Sequence, residues 1–491
     1  MRLRLSDDHA RSLAAIGLLG LVLAVTAVGG QPKVIGSVSV DAVVLGVPVA
    51  ILMCLPYVRR RGLDTVPKYL MGPAALAFIC WGLVSVAADG GSLASLLTIV
   101  RYASYFLLAI VVSVVTQDAA IRRVLLWTIA LTAAATAVLA FAQYLDPQLT
   151  PGMNGISPEI STRVVGTFYN SNFYAEYLLL ATGVTGALVF TEKSWARWLA
   201  AATGLLVVVA MLLTYTRGSW IGLALAVVIF VVVVDVRWLG AVAALGAAGI
   251  LLVPGVTARL SQSTANSGSA EFRLGIWKIA GQAMASRPLF GYGAGDFLDA
   301  YRAVVLTHPE LYQGYLGFGA HNSYFELAAE IGIVGGLLFF VITASYALRG
   351  LFIATRKDVD PKVKYTALAL ASVLIGLVLN TFTSNTFQHP QSGLFFWLLA
   401  GIVAGLGSGL WDCEVRRRQC DPESEGVGGS SWANRLVCRV RCFFSDWWRG
   451  SAVYRWMDWA AVSGGAPGWF TSSAAMRWVF DDGTAKSTPR N

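Results

Sequence analysis

Long apolar runs separated by short polar connections dominate the chain as far as residue 411. Each run is about 17 to 25 residues, the length an α-helix needs to cross hydrocarbon, whereas a barrel would show alternating segments of roughly ten. Read in order, they predict about twelve spans. These fall at residues 12–29, 41–57, 69–88, 93–115, 124–145, 173–190, 198–215, 219–234, 238–253, 323–348, 365–381 and 393–410. The expected fold is therefore an all-α polytopic membrane protein. The opening MRLRLSDDHARSLAAIGLLGLVLAVTAVGG has the basic start of a signal peptide. Its apolar stretch is longer than a signal core and further spans follow at once, so a first transmembrane helix is expected.

Charge placement orients these spans. Alternate connections carry Arg59, Arg60 and Arg61; Arg122 and Arg123; Lys193 and Arg197; Arg237; Arg349, Arg356 and Lys357; and Arg416, Arg417 and Arg418. By the positive-inside rule these connections and both termini face the cytoplasm, leaving the others external. The net charge of +9 thus fits membrane orientation better than a nucleic-acid stripe. A composition 56% hydrophobic and 13% charged, with mean hydropathy +0.63, excludes a water-soluble domain of this length. Cys54 and Cys80 lie in apolar runs, and Cys413, Cys420, Cys438 and Cys442 lie after the last one, so no external disulfide framework is implied.

Two external connections are long, 146–172 and 254 to about 320, and the second holds most of the external polar chemistry. Its stretch EFRLGIWKIAGQAMASRPLFGYGAGDF predicts an amphipathic helix bearing Arg273, Lys278 and Arg287, then turns at the glycines. Such a helix can lie on anionic lipid. Its guanidiniums can equally clamp a phosphate, and both readings stand at this point. GYGAGD lacks the spacing and the preceding strand of a nucleotide fingerprint. In TYTRGSW, Arg217 marks the outer end of a span, where it can snorkel to head groups or serve a site. In AHNSYFELAAEIGIVGG, His321 precedes an apolar helix. The positive end of that helix favours a neutral imidazole, the state a general base needs, although an interfacial histidine is the plain alternative. His308 and His389, each followed by proline, read as loop residues. Arg101, Glu176, Glu326 and Glu330 fall within spans, where charges pair or line cavities; ion pairing is the favoured expectation.

Four blocks carry a resemblance. HNSYFELAAEIGIVGG has His-Asn, nine residues, Gly, two residues, Gly (His321, Asn322, Gly332, Gly335), and resembles the signature of the O-antigen ligase and polymerase superfamily. RLGIWKIAGQAMASRPLFGYGAGDF resembles that family's Arg, Trp, Pro and Gly pattern, and TYTRGSW its Thr-Arg-Gly at the start of a span. VVGTFYNSNFYAEYLL is similar to its GTF, Asn, Asn block, with Ser171 where proline is common.

The resemblance implies a GT-C-like, metal-independent glycosyltransferase in the bacterial inner membrane. It would move a glycan from undecaprenyl diphosphate to an acceptor hydroxyl, of a lipid A core or another glycan or protein. On that reading Arg217 and Arg273 hold the diphosphate and His321 takes the acceptor's proton, with inversion at the anomeric carbon. Supporting candidates are Asn322, Lys278, Arg287, Asn170, Asn172 and Arg163. No cofactor is expected, and no metal, since Glu271, Asp296, Asp299 and Glu310 lack a defensible ligand spacing.

The expected division is a membrane glycosyltransferase domain, 1–411, containing a periplasmic loop at 254–322, and a cytoplasmic tail, 412–491, mostly disordered and without chemistry of its own. Ligase, polymerase and protein O-oligosaccharyltransferase remain alternatives within the family, because the motifs do not specify the acceptor. A transporter using the embedded charges is the alternative of another class, although no internal repeat is visible.

Overall fold

The computed structural model describes residues 6–28, 33–35, 38–40, 42–61, 71–150, 163–252, 268–314 and 319–407. Helices α1 (Asp7–Val28), α2 (Ala42–Arg61), α3 (Met71–Ala88), α4 (Leu93–Val115) and α5 (Ala119–Leu145) are followed by α6 (Ser171–Thr191), α7 (Ser194–Leu213), α8 (Arg217–Val234) and α9 (Leu239–Leu252). After α10 (Gly268–Ser286) and α11 (Phe297–Thr307) come α12 (Ser323–Thr355), α13 (Pro361–Asn380) and α14 (Pro390–Leu406). Each of the twelve predicted runs coincides with a helix. Nine of the described helices are long and apolar enough to cross a membrane; α9, α14 and the apolar part of α3 from Pro73 to Ala88 are shorter. One feature departs from the all-α expectation. Strands β1 (Lys33–Ile35) and β2 (Val38–Val40) pair antiparallel between α1 and α2, with Lys33 opposite Val40. The tail 412–491 and its four cysteines lie outside the described residues, as does 253–267, the start of the second long connection.

The bundle is built outward from α14, whose residues are nearly all buried. Trp397 is wholly enclosed, with Phe106 of α4 and Tyr346 of α12 set edge-on to it at 4.9 and 5.7 Å. This arrangement places positive ring edges against a negative face. Around that core α4 packs on α14, α6 and α8 on α13, and α12 on α13 and α3. Large apolar side chains such as Leu52, Leu205 and Ile221 remain more than 60% exposed on the outside. A belt of that kind is stable against lipid and unstable against water, and the chain is a membrane protein.

The two ends of the bundle differ. At one end, ion pairs join Arg60 to Asp7, Arg11 to Asp118 (2.8 Å) and Arg123 to Glu192 (2.5 Å), gathering the starts of α1 and α5 with the ends of α2 and α6. Helix α6 then runs to the opposite end, where its first turn meets the candidate site.

At that end α10 and α11 form a small cap with its own core. Ile276, Ile279, Ala280 and Ala283 make the i, i+3, i+4, i+7 stripe of α10, packed on Phe297, Ala300, Tyr301 and Val304 of α11 and on Ala320 and Ala329. The apolar face of α10 is therefore satisfied by protein rather than by lipid.

Helix α12 is broken at Ile331 and Gly332, the latter at φ 80° and ψ 163°. The segment 288–293 fills the break. Tyr292 N–H donates to Ala329 O (3.1 Å), Gly293 N–H to Glu330 O (2.9 Å), Trp81 Nε1–H to Ile331 O (2.9 Å), and Ile333 N–H to Pro288 O (2.9 Å). Non-helical backbone at membrane depth is tolerated only when it is satisfied in this way. Broken helices also occur in transporters, but here the gap is occupied by the protein's own backbone. Gly332 occupies a region of backbone space that is essentially glycine's alone, and a Cβ there would come within 1.7 Å of Leu289 O. Gly332→Ala is accordingly expected to cost on the order of 1–3 kcal/mol from strain alone. Thermal unfolding in detergent, followed by size-exclusion chromatography, should show it; an unchanged midpoint would argue against the plug.

Candidate active site

The site forms where several chain segments meet, and side-chain caps set two of them, the starts of α6 and α12. Asn170 caps α6 by accepting from Asn172 N–H at 2.7 Å. Asn172 then points back from the first turn, and its Oδ1 accepts from Arg163 Nη2 (2.8 Å) and Thr216 Oγ1 (3.2 Å). Arg163 also donates through Nε to Thr214 O (2.8 Å) and through Nη2 to Thr216 Oγ1 (2.9 Å). This guanidinium therefore braces the tight turn of Thr214, Tyr215 and Thr216, in which Tyr215 adopts φ 51°. Arg217 is the first residue of α8 beyond that turn, so its charge adds to the positive end of the helix. Gly218 follows because the end of α13 presses against this point: a Cβ would meet Asn380 Oδ1 at 2.2 Å.

His321 arrives from the third segment. Ala320 N–H donates to Glu326 Oε2 (2.6 Å), and Ala320 O accepts from Trp277 Nε1 (3.0 Å). Asn322 caps α12, accepting from Tyr324 and Phe325 N–H, each at 3.1 Å. With both neighbours pinned, His321 is held at φ 48°, a left-handed conformation that a side-chain-bearing residue adopts only under constraint. Trp277 lies one turn after Arg273 on α10, so the bond that fixes Ala320 also fixes the helix that presents Arg273. The Phe272 ring lies edge-on to the imidazole at 6.2 Å.

These segments enclose a cavity of ≈ 210 Å³ whose lining includes Arg163, Asn172, Arg217, Arg273 and His321. The sequence expectation that Arg217, Arg273 and His321 share one space thus matches the geometry. Among the described residues no carboxylate forms an ion pair with Arg217 or Arg273. Two unpaired guanidiniums facing one cavity are unfavourable unless an anion joins them. Burial, and then the neighbouring Arg217, lowers the proton affinity of Arg273 below that of an ordinary arginine. Burial, and then the Arg273 charge, pushes His321 from 6.5 down to about 4. The imidazole is therefore neutral near pH 7. Burial leads here, whereas the sequence pointed to the helix end.

The other candidates lie elsewhere. Asn170 and Asn322 are spent on capping helices. Lys278 is exposed on the outer face of α10 and does not line the cavity. Arg287 pairs with Asp89 at 3.0 Å and lies 4.4 Å over the Tyr292 ring, tying the end of α10 to the α3–α4 turn. His308 is half-buried beside Glu310. His389 packs on Phe173, shares a 2.7 Å hydrogen bond with the Tyr169 hydroxyl, and is pushed down to about 3 by burial, then by Arg101. Among the described residues, no three His, Cys, Asp or Glu side chains gather as a metal site would need.

Sequence reasoning missed the far wall of the cavity: Glu176, Asn380, Thr383 and Ser384. Glu176 was read as a buried ion-pair member. The polar run NTFTSN after α13 was the available signal for the other three.

No curated protein matches the chain. Residues 201–340 match the family described as O-Antigen ligase, a stretch that contains Arg217, Arg273 and His321. Over that stretch the chain is similar to the O-antigen ligase family.

Proposed function

We propose that this membrane enzyme transfers a glycan from undecaprenyl diphosphate to an acceptor hydroxyl, at the outer face of the bacterial inner membrane. The observation that carries the reading is the convergence of Arg217, Arg273 and a neutral His321 on one cavity. The guanidiniums bind the diphosphate and stabilise the charge that grows as it departs, where a metal ion would otherwise be needed. His321 accepts the proton of the acceptor hydroxyl as its oxygen attacks the anomeric carbon from the face opposite the diphosphate, inverting that centre. Undecaprenyl diphosphate leaves with the bonding pair.

The sidedness follows from charge. The cavity and the basic connections lie at opposite ends of α6, so a cytoplasmic basic end makes the cavity periplasmic, and both termini then face the cytoplasm. On this reading residues 1–411 form a GT-C-like domain of about twelve spans, and 412–491 a cytoplasmic tail. Lipid A core is the acceptor proposed first, with a growing glycan chain or a protein as alternatives.

Purified protein in nanodiscs, incubated with undecaprenyl-diphosphate-linked glycan and lipid A core, should yield glycosylated core. Product formed only by extension of the lipid-linked glycan would make the enzyme a polymerase. No product with any acceptor, together with solute uptake that survives His321→Ala, would favour a transporter.

A further inference from the structure

The chemistry proposed above leaves Glu176 without a task. This residue is fully buried on α6, one turn beyond Asn172, and lines the same cavity as the two arginines and His321. A carboxylate opposes anion binding by simple electrostatics, so its presence beside a diphosphate site calls for a separate role. Its Oε1 accepts from Ser384 Oγ (2.5 Å) and Asn380 Nδ2 (3.3 Å), whereas Oε2 is buried with no hydrogen-bond partner among the described residues. The Thr386 and Ser392 hydroxyls face the same carboxyl group from outside the cavity lining. Of the groups that line the cavity, the Glu176 carboxyl thus keeps accepting capacity that Asn380 and Ser384 do not use. Buried polar groups are normally satisfied, and here a neutral, hydroxyl-rich ligand has the complementary chemistry.

We propose that Glu176, flanked by Asn380, Thr383 and Ser384, binds the hydroxyls of the sugar attached directly to the diphosphate. The inference rests on the reading of the cavity as a polyprenyl-diphosphate glycan site. Once Arg217 and Arg273 hold the diphosphate, the sugar joined to it by one C–O–P link must occupy the remaining space, and Glu176 Oε2 accepts a hydroxyl proton there. The His321 side stays open to the acceptor. Glu176 is thus a binding residue that recognises the donor's first sugar and orients its anomeric carbon toward His321.

Two probes test this in nanodiscs: undecaprenyl diphosphate carrying a single hexose, and bare undecaprenyl diphosphate. Glu176→Gln should weaken binding of the hexose-linked probe by about tenfold to a hundredfold while the bare probe, relieved of the opposing charge, binds at least as tightly as to the parent. Thr383→Val, at the less buried part of the wall, repeats the comparison without disturbing the carboxyl group and should show a smaller loss with the same selectivity. Undiminished binding of the hexose-linked probe in both variants, or equal weakening of both probes in both variants, overturns the sugar subsite. If the parent binds neither probe, the diphosphate reading fails first and the subsite with it.

Discussion

His321→Ala should lower transfer by about 10²–10⁴-fold, the usual contribution of a positioned general base, while the protein remains folded and membrane-inserted. The expectation comes from geometry before titration. The imidazole is locked at positive φ between two pinned neighbours, and it shares a cavity with Arg217 and Arg273, the guanidiniums proposed to hold the leaving diphosphate. The pH profile gives a second check. His321 is pushed down to about 4 in the unliganded protein, so falling pH protonates it, and removes the base, only near that value. The acid limb of kcat/KM, which reports the free enzyme, should therefore lie near 4 rather than 6.5. A bound diphosphate offsets the Arg273 charge that helps depress the imidazole, so the limb of kcat should move to higher pH. Near-parental rates in His321→Ala would remove the residue from the mechanism. A kcat/KM limb at the ordinary histidine value would contradict its burial.

Arg217→Ala and Arg273→Ala should each reduce kcat/KM by about 10²–10³-fold, as loss of one preorganised charge-stabilising donor does elsewhere. Lysine should restore only part of the rate, because an ammonium presents a point charge where the guanidinium presents a fork. The two cations act on one anion, so the double variant should lose less than the product of the single losses. Steady-state kinetics with a lipid-linked donor decide the matter. Parental kcat/KM in either alanine variant would leave that arginine with only a structural role. Arg163 differs in kind: its hydrogen bonds already hold Thr214, Thr216 and Asn172, so it serves chiefly to position Arg217.

Much of this was legible along the chain because lipid imposes a strict length rule. A helix that crosses hydrocarbon must satisfy every backbone group internally, so each run of sufficient apolar length announces itself without reference to the rest of the fold. The first helix of the cap was visible for a related reason, since its apolar residues recur at helical spacing. Arg217, Arg273 and His321 could be named because each falls in a short block with a distinctive residue order. Their companions were harder to sort. Lys278 and Arg287 lie on the same helix as Arg273, and one-dimensional spacing could not say that Arg273 turns into the cavity while Lys278 faces outward and Arg287 reaches Asp89.

Glu176 and the wall formed by Asn380, Thr383 and Ser384 come from segments some two hundred residues apart. Nothing local distinguishes a glutamate in a structural ion pair from one lining a substrate cavity; what differs is the set of groups that the folded bundle brings to it. The break at Gly332 is similar. Its glycine was visible in the motif, but the reason for it, a loop from the cap filling the gap in α12, exists only between segments. By itself, then, the sequence determined the helical membrane architecture and singled out three side chains that line one cavity, because apolar length and short motifs are properties of contiguous chain. Which charges are paired and which face the cavity, and the proton affinity that burial leaves to His321, were decided by the tertiary structure alone. Desolvation and hydrogen-bond partnership depend on neighbours that contiguous sequence does not contain.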